Sequence, residues 1–175
     1  MDGPQWDILN RITSPQRLSL NVNMTRYIRK CKNIVQKIVR GYSDYEILDL
    51  SDIIIEYLLD KVPGIRGYVS VTEDGVSDKI KYDDIYNVFI TVLKGKDKKE
   101  ISKWIYPRLL RYKKINNGIP GIITKDHGDM AEKMWNRILD KMLLMLKYIN
   151  KDIDDPVVIN EGIHYLSKYF NYLWI

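Results

Sequence analysis

Residue types that carry chemistry are scarce in this sequence of 175 residues, which has one cysteine, Cys31, and two histidines, His127 and His164. A single cysteine excludes an intramolecular disulfide and any metal site built from several cysteines. Histidine is the side chain best suited to acid–base catalysis at neutral pH, so few candidates exist. The sequence also has no Gly-x-Ser-x-Gly motif, phosphate-binding loop or His-Glu-x-x-His motif. It therefore predicts no catalytic residue and no cofactor.

Long apolar runs are also missing. A membrane-spanning helix needs about 20 consecutive, mostly apolar residues, and the longest apolar stretches, around residues 53–59 and 142–146, are shorter. The N-terminus has neither the basic region nor the apolar region of a secretory signal peptide. We therefore predict a cytoplasmic protein without a membrane partner.

The longest helical pattern runs from His127 to Lys151. Its apolar residues recur at steps of three and four, which places them on one wide face of an α-helix. They are Met134, Trp135, Ile138, Leu139, Met142, Leu143, Leu146 and Ile149. A face this wide needs to be covered on more than one side. We therefore predict a mainly α-helical bundle of about six helices, a single domain over residues 1–175, with this helix at its centre.

Capping signals indicate where other helices begin. Ser43-x-x-Glu46 is a capping box and predicts a helix that ends before Pro63. Asp155 followed by Pro156 predicts a capped start for the last helix. An earlier helix is predicted over residues 24–40, with Cys31 in its apolar face as a small buried side chain.

Other segments break the helical pattern. Residues 1–20 show no clear period and are predicted to form a loosely ordered arm. Residues 62–82 contain alternating apolar positions and the turn signal Asp74-Gly75, so they are predicted to form an irregular or β-hairpin insertion. Pro107 lies inside a helical pattern and is expected to kink or break it.

Charge is unevenly distributed near the N-terminus. The six charged residues from Arg26 to Arg40 are all basic, and the six from Asp44 to Asp60 are all acidic. Two interpretations remain open: two neighbouring helices whose faces attract each other, or a basic surface for an acidic partner.

Three carboxylates in the acidic stretch, Asp49, Asp52 and Glu56, are spaced three and four apart. On one helix they would share a face that could hold Mg²⁺ together with substrate phosphates. A solvated acidic face is the simpler interpretation, so these residues are only a weak metal candidate.

The stretch from Lys94 to Lys114 interleaves basic and aromatic residues. Cations and stackable rings suit single-stranded nucleic acid or another phosphate-rich ligand. The alternative is an amphipathic helix whose rings lie in the core. The candidate phosphate contacts are Lys98, Lys99, Arg108, Arg111, Lys113 and Lys114.

The C-terminal helical pattern has more aromatic residues than a terminal helix needs for packing. Aromatic side chains dominate the binding energy of many protein–protein interfaces. We therefore predict that exposed members of this set bind a protein partner. The set is Tyr165, Tyr169, Tyr172 and Trp174.

Several segments occur in a recognisable order. They are Arg40-Gly-Tyr-Ser-Asp, Tyr106-Pro-Arg-Leu-Leu-Arg-Tyr, Gly118-Ile-Pro-Gly, Trp135-Asn-Arg-Ile-Leu-Asp-Lys-Met and a C-terminal aromatic tract that ends in Leu-Trp. In sequence and order these segments resemble the motifs of a family of small tailed-bacteriophage proteins without an assigned activity. The resemblance implies a phage gene product that acts inside the infected bacterial cell or in the phage particle, and it brings no catalytic residue.

These observations predict a non-enzymatic bacteriophage accessory protein that acts by binding another macromolecule. The preferred partner is a host or phage protein, with modulation or inhibition of a host or defence protein as the role. The alternative is a nucleic-acid- or nucleotide-binding protein that uses residues 94–114. The sequence leaves the oligomeric state open.

Overall fold

A computed structural model describes residues 14–62, 64–65, 71–72, 75–76, 82–116 and 118–173. Side chains are described for the same residues except 14–23, 71–72, 75–76 and 82–83. Residues 1–13 of the predicted arm and Trp174 of the predicted binding set therefore lie outside the described part of the chain.

The mainly α-helical fold predicted from the sequence is confirmed. In the described part of the chain, six helices are 12 residues or longer: α1 (Ser14–Arg40), α3 (Leu50–Lys61), α4 (Tyr82–Lys94), α5 (Lys98–Ile115), α7 (Ala131–Asn150) and α8 (Pro156–Tyr169). Two are shorter, α2 (Asp44–Ile47) and α6 (Gly121–His127). Short 3₁₀ turns follow α6 at Gly128–Met130 and α8 at Phe170–Tyr172.

The chain divides into two compact units, residues 1–43 and residues 44–175. The first unit contains α1, and the second contains α2 to α8. The single domain over residues 1–175 stays a prediction.

Helix α7 lies at the centre of the second unit, as predicted, and packs against α5, α6 and α8. Contacts on several sides explain why its buried face is wider than the predicted one. Met145, which the apolar pattern did not include, is fully buried. The start of the helix was predicted wrongly: α7 begins at Ala131, and its N-cap residue, Met130, accepts no hydrogen bond through its side chain.

Helix α8 crosses α7 at very short range. A Cβ atom added to Gly162 would lie 2.2 Å from the Cβ of Met145, well inside van der Waals contact. At its C-terminal end α8 leads into Phe170, whose ring meets Phe89 of α4 edge-on at 5.2 Å. The glycine therefore permits a helix contact that no other residue would allow at this distance.

The helix predicted from Ser43 to before Pro63 is divided in two. Helix α2 ends at Ile47, and α3 begins at Leu50. The backbone N–H groups of Leu50 and Ser51 both donate to the carbonyl oxygen of Leu173, at 3.0 and 3.3 Å. The C-terminal segment thus satisfies amides that a helix start leaves without an internal partner. This cap comes from more than 100 residues away in the sequence, so no local pattern could reveal it.

Helix α5 runs without a break through Pro107. The predicted break is therefore wrong, and the predicted kink stays a prediction. Packing of α5 against α2, α3, α4 and α7 offsets the hydrogen bond that the proline removes.

Helix α1 begins ten residues earlier than predicted, so residues 14–20 of the predicted arm are helical. Pro15 lies in the first turn, where its missing N–H is not needed. In the predicted insertion, β1 (Val71–Thr72) and β2 (Gly75–Val76) pair antiparallel, with Val71 opposite Val76. Two paired residues in each strand do not amount to a folded hairpin, and the hairpin insertion stays a prediction.

The start of α8 follows the local sequence signal. The carboxylate oxygen Oδ1 of Asp155 accepts hydrogen bonds from the backbone N–H groups of Val157 and Val158, each at 3.1 Å. Pro156 occupies the first helical position. The predicted cap is therefore confirmed.

Asp155→Ala is expected to lower the free energy of unfolding by about 1 kcal/mol, because two amides of α8 lose their acceptor. Urea denaturation followed by far-UV circular dichroism measures the change. Asp154→Ala removes an exposed carboxylate one residue earlier and is the matched control, with an expected change below about 0.5 kcal/mol. Equal effects of the two changes would contradict a specific role for the cap.

Candidate binding surfaces

The C-terminal aromatic set is only partly at the surface. Tyr165 and Tyr172 are half-buried. Tyr169 is buried, and its ring meets Trp135 of α7 edge-on at 5.9 Å. Tyr169 is therefore not one of the exposed members of the set, and the prediction that exposed members bind a partner stays a prediction. Tyr165 and Tyr172 remain candidates.

Three basic residues of α5, Lys99, Arg111 and Lys113, pair with carboxylates of the same unit. Lys99 forms an ion pair with Asp152 and, by donating a hydrogen bond, lowers the pKa of that carboxyl group. Lys113 contacts Asp140 of α7 at 2.5 Å. These pairs join α5 to α7 and to the turn that follows it.

Arg111 makes the most directional of these contacts. Its Nε and one terminal nitrogen donate to the two carboxylate oxygens of Asp44, at 2.7 and 2.9 Å. Parallel bonds of this kind combine charge with fixed geometry. The guanidinium thereby ties α5 to α2, and a bound phosphate would have to compete with this carboxylate.

One aromatic residue between Lys94 and Lys114, Trp104, lies in a closed stack. The rings of Tyr57 and Trp104 are nearly parallel, with centroids 3.9 Å apart. The guanidinium carbon of Arg108 lies 3.7 Å from the centroid of Trp104. Two groups at such distances cannot share one face of a ring, so they cover opposite faces of Trp104. Neither face is open for a nucleic-acid base to stack on.

Lys98 and Lys114 are exposed at the two ends of α5. The six predicted phosphate contacts are thus not brought together into one open basic site. Four of them, Lys99, Arg108, Arg111 and Lys113, hold side chains of the second unit in place.

The acidic stretch does not form the predicted single-helix face. Asp49 is the N-cap residue of α3 rather than a residue within it, and its side chain makes no capping hydrogen bond. Asp49, Asp52 and Glu56 are all exposed. Among the described residues, no group of three or more histidine, cysteine or carboxylate side chains is placed to hold a metal ion.

Helix α1 has an exposed apolar face, and none of the site residues predicted from the sequence lies on it. Between residues 24 and 40 no side chain is buried. The large apolar side chains there are 56–79% exposed: Met24, Tyr27, Ile28, Ile34, Val35, Ile38 and Val39. Cys31 is exposed among them, which corrects its prediction as a buried side chain. Within its own unit α1 is the only element that the structure describes, so no other described element of that unit covers this face.

The charged residues of α1 from Arg26 to Arg40 lie along the borders of the apolar face and on the opposite side of the helix. All of them are basic. At 3.6 residues per turn, Lys32 lies along one border of the apolar face and Lys30 along the other, whereas Arg26 and Arg29 lie on the opposite side. The sequence already contained a signal for this surface, since the run of six basic residues from Arg26 to Arg40 was one sign of a basic surface for an acidic partner.

Comparison with protein-family models, with curated proteins and with solved structures finds no match to this chain. The resemblance to small tailed-bacteriophage proteins therefore stays a prediction. Among the described helices, none is both long enough and apolar enough to cross a membrane.

Proposed function

We propose that this protein is a non-enzymatic bacteriophage accessory protein that binds another protein, a host or defence protein, inside the infected cell. One observation carries the proposal: the exposed apolar face of α1, formed by seven large side chains and Cys31. Contiguous apolar surface of this kind usually marks an interaction site, because exposing it to water is unfavourable. The docking surface is therefore α1 rather than the C-terminal aromatic set.

The nucleic-acid alternative has weaker support. Nucleic-acid binding needs cations that are available to phosphates and ring faces that are available to bases. In residues 94–114, Arg111 holds Asp44 and the ring of Trp104 is covered on both faces. A protein partner uses the apolar side chains of α1, and a nucleic acid would leave them exposed.

The single cysteine of the chain makes this proposal testable, because Cys31 lies within the apolar face. A small diazirine group attached to Cys31 in the full chain forms a photo-cross-link with whatever covers the face. Purified protein labelled in this way is illuminated in a lysate of a bacterial host, and cross-linked peptides are identified by mass spectrometry. We expect one specific host protein, joined through one region of its surface.

Matched variants decide whether the capture is specific. Ile28→Glu combined with Ile38→Glu places two charges on the apolar face and should abolish the cross-link. Ile153→Glu combined with Val157→Glu places the same two charges at exposed apolar positions of the second unit and should leave it unchanged. Loss of the cross-link in Tyr165→Ala combined with Tyr172→Ala, with retention in the α1 variant, would instead assign binding to the C-terminal rings and contradict the proposed surface.

A further inference from the structure

We infer that the partner surface is an apolar groove with carboxylates along its rim, into which α1 inserts as a single helix; this inference rests on the proposed function. The spacing of the exposed side chains provides the first argument. Counting from Met24, apolar residues stand at positions i, i+3, i+4 and i+7, and the same set repeats from Cys31. They are Met24, Tyr27, Ile28 and Cys31, then Ile34, Val35 and Ile38. This is the anchor spacing of an amphipathic helix bound in a protein groove.

The width of this face provides the second argument. A two-helix coiled coil uses two apolar positions in each heptad, whereas α1 offers three. A face with three apolar positions per heptad is not covered by one neighbouring helix, because the outer side chains remain in water. The walls of a groove cover such a face from both sides.

The positive charges of α1 indicate which side chains line the rim of the partner's groove. Lys30 and Lys32 lie along opposite borders of the apolar face, and no acidic residue occurs in α1. When the helix is seated, these ammonium groups come to lie over the two edges of the groove. Carboxylates at those edges would gain favourable contacts, whereas a basic or apolar rim would leave the lysines desolvated without partners.

A second copy of this chain fits this requirement poorly. Another α1 would bring six more cations from the Arg26–Arg40 stretch and no anion against the first. In the described part of the second unit, the exposed large apolar side chains are spread over separate elements. They are Tyr45, Leu48, Ile119, Ile122, Met130, Ile153 and Val157. No single element there offers an apolar row that matches the length of α1.

Calmodulin loaded with Ca²⁺ serves as the test groove, because it presents an apolar, methionine-rich groove and many carboxylates. The full chain is titrated with cysteine-free calmodulin by calorimetry, with and without Ca²⁺. In parallel, the alkylation rate of Cys31 is compared with and without calmodulin for each variant. We expect binding only with Ca²⁺, and slower alkylation of Cys31 when the groove covers it.

Two charge reversals of equal size test the rim. Lys30→Glu combined with Lys32→Glu should raise the dissociation constant at least about tenfold, because charges at the borders would then repel the rim. Arg26→Glu combined with Arg29→Glu changes the opposite, solvent-facing side, so the expected change is below about threefold. Equal effects of the two pairs would overturn the rim assignment, since they would indicate attraction to total charge alone.

A lipid surface is the competing occupant, because basic amphipathic helices also lie on anionic membranes. Vesicles of phosphatidylglycerol and phosphatidylcholine are therefore tested beside calmodulin. Protection of Cys31 by vesicles and not by calmodulin would overturn the inference. If that result came together with a specific protein cross-link from the lysate, the proposed function would stand and only the groove would be wrong. Absence of any protein cross-link would contradict the proposed function itself.

Discussion

Gly162→Ala is expected to lower the free energy of unfolding by about 3 kcal/mol, the upper end of the usual cost of overpacking a core. The added methyl group would lie 2.2 Å from Cβ of Met145, 2.8 Å from its Cγ and 3.0 Å from its Sδ. The first of these atoms is fixed to the backbone of α7, so a side-chain rotation cannot relieve the clash. The two central helices would have to move apart, and the core around them would lose its close packing.

Urea denaturation of the full chain measures the effect of Gly162→Ala. Gly121→Ala is the matched control, because a Cβ atom at Gly121 meets nothing within 4 Å and its first-turn position tolerates alanine. Met145→Ala should not rescue Gly162→Ala, since alanine keeps the Cβ atom that clashes. A loss of stability below about 1 kcal/mol for Gly162→Ala would show that α7 and α8 do not approach as closely as described.

Trp135→Ala is expected to lower the free energy of unfolding by about 3–5 kcal/mol, as for other buried large side chains. Trp135 is 3% exposed and contacts the ring of Tyr169, so the deletion leaves a cavity between α7 and α8. The indole N–H is buried and, among the described residues, has no hydrogen-bond partner. Trp135→Phe removes this unpaired donor and keeps a ring against Tyr169.

The contrast between the two changes at Trp135 is the sharper test. Trp135→Phe should cost less than about 2 kcal/mol, because removing an unsatisfied donor offsets part of the lost volume. Thermal unfolding and urea denaturation of both variants provide the comparison. If phenylalanine cost as much as alanine, the indole N–H would have a partner that stabilises the fold.

Features that depend on neighbouring residues could be predicted from the sequence. The cap at Asp155 needs only the two amides that follow it, and the apolar pattern of α7 needs only its own period. Both were predicted correctly. The burial of Met145 was not predicted, because it depends on how α8 approaches α7 at Gly162.

Features that depend on distant residues could not be predicted. At the start of α3, the backbone N–H groups of Leu50 and Ser51 donate to the carbonyl oxygen of Leu173. No residue near position 50 in the sequence indicates that contact. The sequence did not show which rings of the C-terminal set are exposed, because the burial of Tyr169 depends on packing against Trp135 of α7. The sequence predicted that cations of α5 contact phosphates, and it did not show that carboxylates such as Asp44 lie beside them in the fold.

The exposure of the apolar face of α1 could not be predicted from the sequence either. The apolar period of residues 24–40 predicted a helix correctly, but a period alone does not say whether its apolar face is covered. The run of cations on α1 was the local sign of an exposed surface. One of the two interpretations left open by the sequence, a basic surface for an acidic partner, is the one that the groove inference develops.

The alkylation rate of Cys31 in the purified protein tests the exposed face of α1 most directly. Iodoacetamide is added at low protein concentration, and the rate in buffer is compared with the rate in concentrated urea. Because Cys31 lies in the middle of the apolar face, we predict rates within about threefold of each other and no dependence on protein concentration. A rate in buffer that is about 100-fold slower than in urea would show that the face is already covered and would contradict its role as a docking surface.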